Sequence, residues 1–215
     1  ATAAAHAAAR AWRQPTRIAG PLQLGEIVAW LRERLPTDAI LTNGAGNYAI
    51  WANRHFGYRG LGTQLAPTSG SMGYGLPAAI AAKLCYPARP VVCFAGDGCF
   101  LMTGQELATL VQYRLPIVVI VVDNGMYGTI RMHQEREHPG RISGTALANP
   151  DFAALARAYG AHGARVETTA QFAPAFEEAI AADRPVLLHL ILDPEAITPR
   201  TTLSQLRAAA QAGGR

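Results

Sequence analysis

The stretch that decides the fold runs from Cys93 to Gly128 and reads CFAGDGCFLMTGQELATLVQYRLPIVVIVVDNGMYG. Its first apolar run ends at a Gly-Asp-Gly turn, a helix-like segment follows, and a second apolar run ends at Asp-Asn-Gly. Such continuous runs, rich in Val and Ile, are typical of strands that are buried on both faces of a parallel sheet. A lone carboxylate, Asp97, therefore follows one buried strand, and an amide, Asn124, follows the next.

The rest of the chain continues this alternation of strands and helices. Strands are predicted at DAILTN, PVVCFA, IVVIVV and PVLLHLILD, and helices at LQLGEIVAWLRERL, YAIWANRHF, MGYGLPAAIAAKL, GQELATLVQY, DFAALARAYG and AQFAPAFEEAIAA. The pattern predicts an α/β fold, with a parallel β-sheet flanked by helices on both faces. Ligands bind at the carboxyl ends of the strands in such sheets, where Asp97, Asn124 and the loop NGAGN are expected.

Length and composition predict one domain with a tail at each end. The chain has 215 residues, half of them apolar, which is enough for a substantial core. We expect an Ala- and Arg-rich linker at 1–20, the globular domain at 21–199 and a tail at 200–215. The linker has the composition of a transit peptide, but a helical remnant of a longer protein is the simpler interpretation. Because the chain begins with Ala, we expect a fragment or a processed product.

Charge and cysteine usage exclude several classes of function. The net charge of +4 comes from scattered Arg residues without a basic block, so no nucleic-acid partner is expected. No apolar run approaches the ~20 residues that span a bilayer, so no membrane partner is expected either. Three cysteines without a CxxC pair indicate neither a disulfide scaffold nor a zinc site. These features favour a cytoplasmic location.

The two polar strand ends suggest a phosphate held beside a metal ion. The Gly-Asp-Gly turn offers backbone N–H groups to an anion at a helix start, and Gly96 and Gly98 allow close approach. A carboxylate there would repel phosphate unless a cation lay between them, and Mg²⁺ commonly bridges the two. Asn124 and the main-chain carbonyl of Met126 could complete the ligands. Asp97 could instead only cap the helix, but the pair at this spacing favours the metal.

These residues resemble the GDG…N signature of enzymes that use thiamine diphosphate. The stretches TSGSMGYGLPAAIAA, GDGCFLMTGQELATLVQYRLPIVVIVVDNGMYG and NPDFAALARAYGA are similar to the diphosphate-binding domain of the acetolactate synthase-like branch. The resemblance covers about Pro21 to Pro199. It implies the thiamine diphosphate-binding fold for residues 21–199, with thiamine diphosphate and Mg²⁺ as cofactors.

The resemblance also implies a role for individual residues. Asp97, the side chain of Asn124 and the main-chain oxygen of Met126 would bind Mg²⁺. Met72 would be the apolar wedge under the bent cofactor, and the carbonyl of Gly70 would accept a hydrogen bond from the 4′-amino group. The residues expected to lie against the diphosphate are Ala45, Gly46, Asn47, Gly96, Gly98 and Cys99, of which Gly98 and Cys99 would donate N–H groups.

The family's activating glutamate belongs to a pyrimidine-binding domain of the same or a partner subunit. We find no such domain and no catalytic side chain here, so we expect a lyase or transferase that is incomplete alone and works as a homodimer or homotetramer. The resemblance implies action on 2-keto acids, with acetolactate synthase-like carboligation first and a benzoylformate or indolepyruvate type of decarboxylase second. A nucleotide-binding module is disfavoured because the chain has no true GxGxxG motif. A non-catalytic assembly domain remains a further alternative.

Some positions near the predicted site have no settled role. Many relatives carry Asn-Asn where this chain carries Asp123-Asn124, so Asp123 either adds negative charge near the metal or faces away into a helix cap. Glu106 and His189 are expected to be structural, His189 as a core histidine with its hydrogen bonds satisfied. The polar stretch YGTIRMHQEREHPGRISGTALANP predicts a helix turn and an exposed loop, and the role of 129–149 stays open.

Overall fold

A computed structural model describes residues 2–213 of the chain. Ala1, Gly214 and Arg215, which belong to the predicted linker and tail, lie outside the described residues. One six-stranded sheet has the order β2-β1-β3-β4-β6-β5, and every neighbouring pair is parallel. The strands are β1 Ile40–Asn43, β2 Gln64–Leu65, β3 Val91–Gly96, β4 Val118–Asp123, β5 His162–Val166 and β6 Val186–Ile191.

Helices connect the strands and cover both faces of the sheet. They are α1 Thr2–Arg13, α2 Leu24–Arg34, α3 Tyr48–His55, α4 Gly75–Cys85, α5 Asp97–Phe100, α6 Leu107–Gln112, α7 Gly128–Glu137, α8 Phe152–Ala158, α9 Thr169–Ala181 and α10 Leu203–Gly213, with a 3₁₀ turn at Gly104–Glu106. The sequence-based prediction of the fold class is therefore confirmed. No helix within residues 2–213 is long and apolar enough to cross a bilayer.

The two faces of the sheet have separate cores because successive strand residues point to opposite sides. On the first face, Val118, Ile120 and Val122 of β4 pack with α2, α3 and α9. On the second face, Val119 and Val121 pack with α4, α6 and α8. Both faces are apolar, which explains why the central strands read as continuous apolar runs rather than as alternating patterns.

The polar region after β4 is more ordered than its sequence predicts. A ten-residue helix, α7, occupies Gly128–Glu137, where only a helix turn was predicted. The predicted C-terminal tail contains α10, which packs on α7. The contact combines a small apolar cluster, in which Met132 packs with Leu203, with the ion pairs of Glu135, which is 1% exposed and bonds Arg131 and Arg207. A helix held by few apolar residues and by ion pairs lacks the apolar periodicity on which the prediction depended.

The N-terminal segment is helical and exposed. Helix α1 has no buried residue among those described, although Trp12 stacks between the guanidinium groups of Arg54 and Arg200. A helical segment here agrees with the predicted linker. The division of the chain into linker, domain and tail stays a prediction.

Candidate cofactor site

A cavity of about 390 Å³ opens at the carboxyl edge of the sheet. Every predicted site residue lines it: Ala45, Gly46, Asn47, Gly70, Met72, Gly96, Asp97, Gly98, Cys99, Asn124 and Met126. These residues come from four separate stretches of the chain. Their roles toward a cofactor stay predictions, but the structure brings all of them together.

The turn after β3 is buried and tightly packed. Helix α5 begins at Asp97 directly after the strand, and Asp97 is only 4% exposed. A Cβ atom on Gly96 would lie 2.7 Å from the Tyr48 ring, and one on Gly98 would lie 2.6 Å from the Tyr127 ring. Any larger residue would push one of these rings away, so the two glycines are needed for this close packing.

The Asp97 carboxylate is hydrogen-bonded from both turns. Its Oδ1 accepts from the N–H of Gly98 at 2.8 Å, and its Oδ2 accepts from the N–H of Met126 at 3.2 Å. Burial raises the pKa of Asp97 to about 6, although the Gly98 bond opposes the shift. The Gly98 N–H, which was predicted to bind diphosphate, already donates to Asp97 Oδ1. A phosphate that binds here would share this N–H with Asp97 or replace Asp97 as its acceptor.

Cys99 connects three segments around the cavity. Its Sγ accepts hydrogen bonds from the Tyr48 hydroxyl at 3.3 Å and from the N–H of Gly73 at 3.1 Å. Burial raises the pKa of the Tyr48 hydroxyl well above its usual value, so the phenol remains a donor at neutral pH. The thiol thus fixes α5 against α3 and the loop that carries Met72.

The turn after β4 is less buried than the turn after β3 and is held by hydrogen bonds to a distant loop. The N–H of Leu147 donates to the carbonyl of Gly125, and the N–H of Tyr127 donates to the carbonyl of Thr145, both at 2.9 Å. Asn124 lines the cavity from this turn. The loop before α8, whose role the sequence left open, therefore supports the turn with two candidate metal ligands.

Of the two alternatives predicted for Asp123, the structure agrees with negative charge near the candidate metal ligand, because its carboxylate shares the Asn149 amide with Asp97 and acts to raise the pKa of Asp97. Asp123 itself does not line the cavity, and it caps no helix. Its Oδ1 accepts from the N–H of Gly125 at 2.9 Å, and its Oδ2 lies 2.8 Å from Nε2 of His189. Burial acts to raise the pKa of Asp123, but hydrogen bonds from His189, Asn149 and Gly125 outweigh burial and lower it.

Asn149 is the residue near the site that sequence reasoning missed. Its Nδ2 donates to Asp97 Oδ2 at 2.9 Å and to Asp123 Oδ1 at 2.7 Å. The available signal was the NPD sequence, in which Asn149 precedes a proline and the N-cap of α8. His189 is satisfied at Nε2, as predicted, whereas its Nδ1 is buried without a hydrogen-bond partner among the described residues.

Two other predicted residues, Asn47 and Met72, differ in their surroundings, because only the Asn47 side chain is held by hydrogen bonds. The Asn47 side chain accepts from Thr129 Oγ1 at 2.9 Å and donates to the carbonyl of Ile197 at 3.0 Å, so it connects segments around the cavity. Met72 is 37% exposed and lines the cavity. Glu106, outside the cavity lining, accepts from Thr109 Oγ1 at 2.8 Å, which agrees with a structural role.

The donor set in the cavity suits a hard cation. Within residues 2–213, no group of three or more His, Cys, Asp or Glu side chains could hold a metal ion. The cavity lining instead includes the carboxylate residue Asp97 and the amide residue Asn124, together with Met126, which would contribute its main-chain oxygen. Mg²⁺ is commonly held by one or two carboxylates together with substrate phosphates and water, so the residues present fit Mg²⁺ bound with a diphosphate.

The apolar walls suit an organic ring system. The cavity residues that the sequence did not predict include aromatic and aliphatic side chains: Tyr48, Trp51, Val122, Tyr127, Ile130, Leu192 and Ile197. Small-molecule sites are mostly apolar with a few polar groups placed to orient the ligand. A cavity with oxygen donors at the strand ends and apolar walls beyond them fits an anion that carries aromatic rings.

Comparison with known proteins agrees with this geometry. Residues 44–190 match the family model of the thiamine pyrophosphate enzyme, C-terminal TPP binding domain. The large subunit of acetolactate synthase isozyme 2 from Escherichia coli K12 is 36% identical over 165 residues, which are 76% of this chain and 30% of that protein. Pyruvate oxidase from Lactiplantibacillus plantarum is 36% identical over 183 residues, covering 80% of this chain and 29% of the oxidase.

Solved structures show the same relationship. The thiamine diphosphate-dependent 4-hydroxybenzoylformate decarboxylase of Rhodococcus jostii RHA1 has a TM-score of 0.78 and 31% identity, covering 85% of this chain and 34% of that chain. Benzoylformate decarboxylase from Polynucleobacter necessarius has a TM-score of 0.76 and 26% identity, covering 84% and 36%. The chain thus spans about a third of the length of the relatives it matches. It belongs to the thiamine pyrophosphate enzyme family, as a C-terminal TPP-binding domain of the acetolactate synthase-like branch.

Proposed function

We propose that the cavity binds thiamine diphosphate together with Mg²⁺. Asp97, Asn124 and the main-chain oxygen of Met126 hold the metal, and the turn at Gly98 and Cys99 receives the diphosphate. The observation that carries the proposal is that residues chosen from sequence alone, on four separate stretches, line one cavity with a hard oxygen donor set.

This chain's contribution is binding and geometry rather than proton transfer. When bound, thiamine diphosphate supplies an electron sink for a carbanion that forms next to a carbonyl group. Met72 would support the cofactor rings, and the carbonyl of Gly70 would accept a hydrogen bond from the 4′-amino group; both residues line the cavity. Gly70 has a φ of +69°, a left-handed backbone conformation that glycine adopts without strain. Trp51 and Ile197 form apolar walls of the cavity.

The activating glutamate comes from a pyrimidine-binding domain of the same or a partner subunit. The proposed assembly is a homodimer or a homotetramer, and the proposed class of the complete protein is a lyase or a transferase. The proposed location is the cytoplasm. The free thiols of Cys85, Cys93 and Cys99 support it, because the cytoplasm keeps thiols reduced.

The proposed reaction is acetolactate synthase-like carboligation of 2-keto acids. Its support is the sequence similarity to acetolactate synthase large subunits. The second candidate is decarboxylation of a 2-keto acid of the benzoylformate or indolepyruvate type. The observation that favours it is the structural similarity to two decarboxylases of benzoylformate and its 4-hydroxy derivative.

Product analysis separates the two reactions. The complete protein that contains this chain should be incubated with thiamine diphosphate and Mg²⁺, once with pyruvate and once with benzoylformate. We expect acetolactate from pyruvate, and an Asp97→Ala variant should form none. Benzaldehyde from benzoylformate, without acetolactate from pyruvate, would exchange the first candidate for the second. No product from either substrate and no cofactor binding would overturn the proposed site.

A further inference from the structure

We propose that Asn149 is a positioning residue, which orients the Asp97 carboxylate toward the metal by holding it beside the Asp123 carboxylate. The proposal rests on the proposed function, because it assigns a role toward the same metal site. Asn149 is outside the cavity lining and acts through Asp97.

Strand alternation places the groups that Asn149 joins on one side of the sheet. The core of the second face contains residues from each of β3, β4 and β6, among them Ala95, Val121 and Leu187. Because every second residue returns to the same face, Asp123 and His189 continue the rows of Val121 and Leu187.

The strand register brings the two carboxylates to the same level. Gly96 of β3 pairs with Val122 of β4, so the next residues along the two strands, Asp97 and Asp123, are neighbours. Two carboxylates side by side repel each other when both are ionised. A donor shared by both carboxylates therefore holds them at this short separation.

Asn149 provides that donor with both of its N–H bonds. Its Nδ2 lies 2.9 Å from Asp97 Oδ2 and 2.7 Å from Asp123 Oδ1. The opposite amide orientation would place an oxygen against two carboxylates, so the electrostatics fix which end faces them. The amide Oδ1 is buried without a hydrogen-bond partner among the described residues, so hydrogen bonding at the oxygen does not explain an asparagine here.

The backbone around Asn149 fixes the position of the amide. The N–H of Leu147 bonds to the carbonyl of Gly125, which anchors one side. On the other side, Pro150 restricts the backbone of Asn149, and Asp151 caps α8 by accepting from the N–H groups of Ala153 and Ala154. The amide is thus held between the turn with the metal ligands and a capped helix.

Loss of the amide should affect the metal more than the fold. In Asn149→Ala, Asp97 Oδ2 keeps only the N–H of Met126 at 3.2 Å. The carboxylate then faces Asp123 without a shared donor and is free to turn away from the metal. Loss of a group that orients a metal ligand typically weakens metal binding by about 10- to 100-fold.

Metal affinity and thermal stability, measured side by side, test the proposal. Mn²⁺ replaces Mg²⁺ as a paramagnetic probe, and its dissociation constant is measured by electron paramagnetic resonance on the complete protein with thiamine diphosphate. We expect Asn149→Ala and the nearly isosteric Asn149→Leu to bind Mn²⁺ about 10- to 100-fold more weakly. The leucine variant preserves volume, so it keeps the test usable if the alanine variant fails to fold.

Arg157→Ala is the matched control from α8, the helix that follows the loop. It removes the 2.7 Å hydrogen bond from Arg157 Nη1 to the carbonyl of Gly163 but no contact to Asp97, Asp123 or Asn149, so it should lower the unfolding temperature and leave Mn²⁺ affinity unchanged. Mn²⁺ affinities of both Asn149 variants within twofold of the unsubstituted protein would overturn the positioning role. Failure of the unsubstituted protein to bind Mn²⁺, or full binding by Asp97→Ala, would instead overturn the metal site itself.

Discussion

The turns after β3 and β4 look alike in sequence, because each joins a buried strand to a helix through Asp or Asn and Gly, but they are supported in different ways. After β3, all four residues of α5, from Asp97 to Phe100, are buried in the core. After β4, residues 123–129 are only partly buried, and contacts with the loop at 145–149 hold them. One candidate ligand is therefore fixed by packing, and the other by hydrogen bonds.

A one-residue offset decides which side chain reaches the cavity. Asp97 follows the last residue of β3, whereas Asp123 is itself the last residue of β4 and Asn124 follows it. The carboxylate lines the cavity in the first turn, and the amide does so in the second. The comparison shows that the position relative to the strand end, rather than the residue type, selects the side chain that lines the cavity.

The largest expected effect is the loss of cofactor binding when the acid of the first turn, Asp97, is replaced, compared with replacement of the acid of the second turn, Asp123. Asp97→Ala should weaken Mg²⁺-dependent binding of thiamine diphosphate by more than about 100-fold, because it removes the only carboxylate in the cavity among the described residues. Asp123→Asn should weaken binding by no more than about tenfold, since Asp123 lies beside Asp97 and shares the Asn149 amide with it but does not line the cavity. Calorimetric titration of the cofactor measures both. Equal losses would contradict the distinction between the turns.

An effect of intermediate size, on stability, is expected at Glu135, whose ion pairs join α7 to α10. Arg207 and Arg131 bond the Glu135 carboxylate and lower its pKa to about 2. Glu135→Gln should lower the free energy of unfolding by about 2 kcal/mol at neutral pH, less than for a fully buried pair because Arg207 is 36% exposed at its side chain. Denaturant titration gives this difference.

The pH dependence of that difference follows from the direction of the shift. Unfolded Glu135 binds its proton near its usual pKa of 4.5, whereas the folded carboxylate binds one only near 2. The unfolded state thus holds more protons between these values, and stability rises with pH there. The difference between the two proteins should be complete above about pH 5 and disappear as the pH falls toward 2. A difference that is constant from pH 7 to 3 would show that packing, not charge, holds α10.

The smallest effect on stability is expected at Met72, which lines the same cavity. Its side chain is 37% exposed, so Met72→Ala should change the free energy of unfolding by less than about 0.5 kcal/mol. Loss of the support under the cofactor rings should nevertheless lower kcat of the complete enzyme by about tenfold or more. Denaturant titration and steady-state kinetics measure the two effects. Activity that falls only in proportion to stability would make Met72 a packing residue.

The parts of the molecule that depend on apolar packing could be predicted from the sequence. The β3 and β4 runs are continuous because both faces of the sheet are covered. Asp97 and Asn124 stand out because a polar residue interrupts each run at a strand end. The glycines beside Asp97 marked the turn at which rings of Tyr48 and Tyr127 approach the backbone.

The parts that depend on long-range polar contacts could not be predicted. Glu135 and Arg207 are 72 residues apart, and nothing local marks them as partners. Asn149 is 52 residues from Asp97, and its NPD context indicates only the start of a helix. The hydrogen bond between Asp123 and His189 was missed for the same reason, because His189 lies on β6, 66 residues away. Side-chain hydrogen bonds of this kind leave no periodic signal in the sequence.

The position of Trp51 in the cavity wall gives the protein an optical probe of its own. Its indole is 1% exposed, and its Nε1 is buried without a hydrogen-bond partner among the described residues. The other two tryptophans lie outside the cavity lining, Trp12 on α1 and Trp30 against Phe172 and Phe176. Filling the cavity changes the surroundings of one indole and leaves the other two as internal references, so intrinsic fluorescence follows its occupancy without any label.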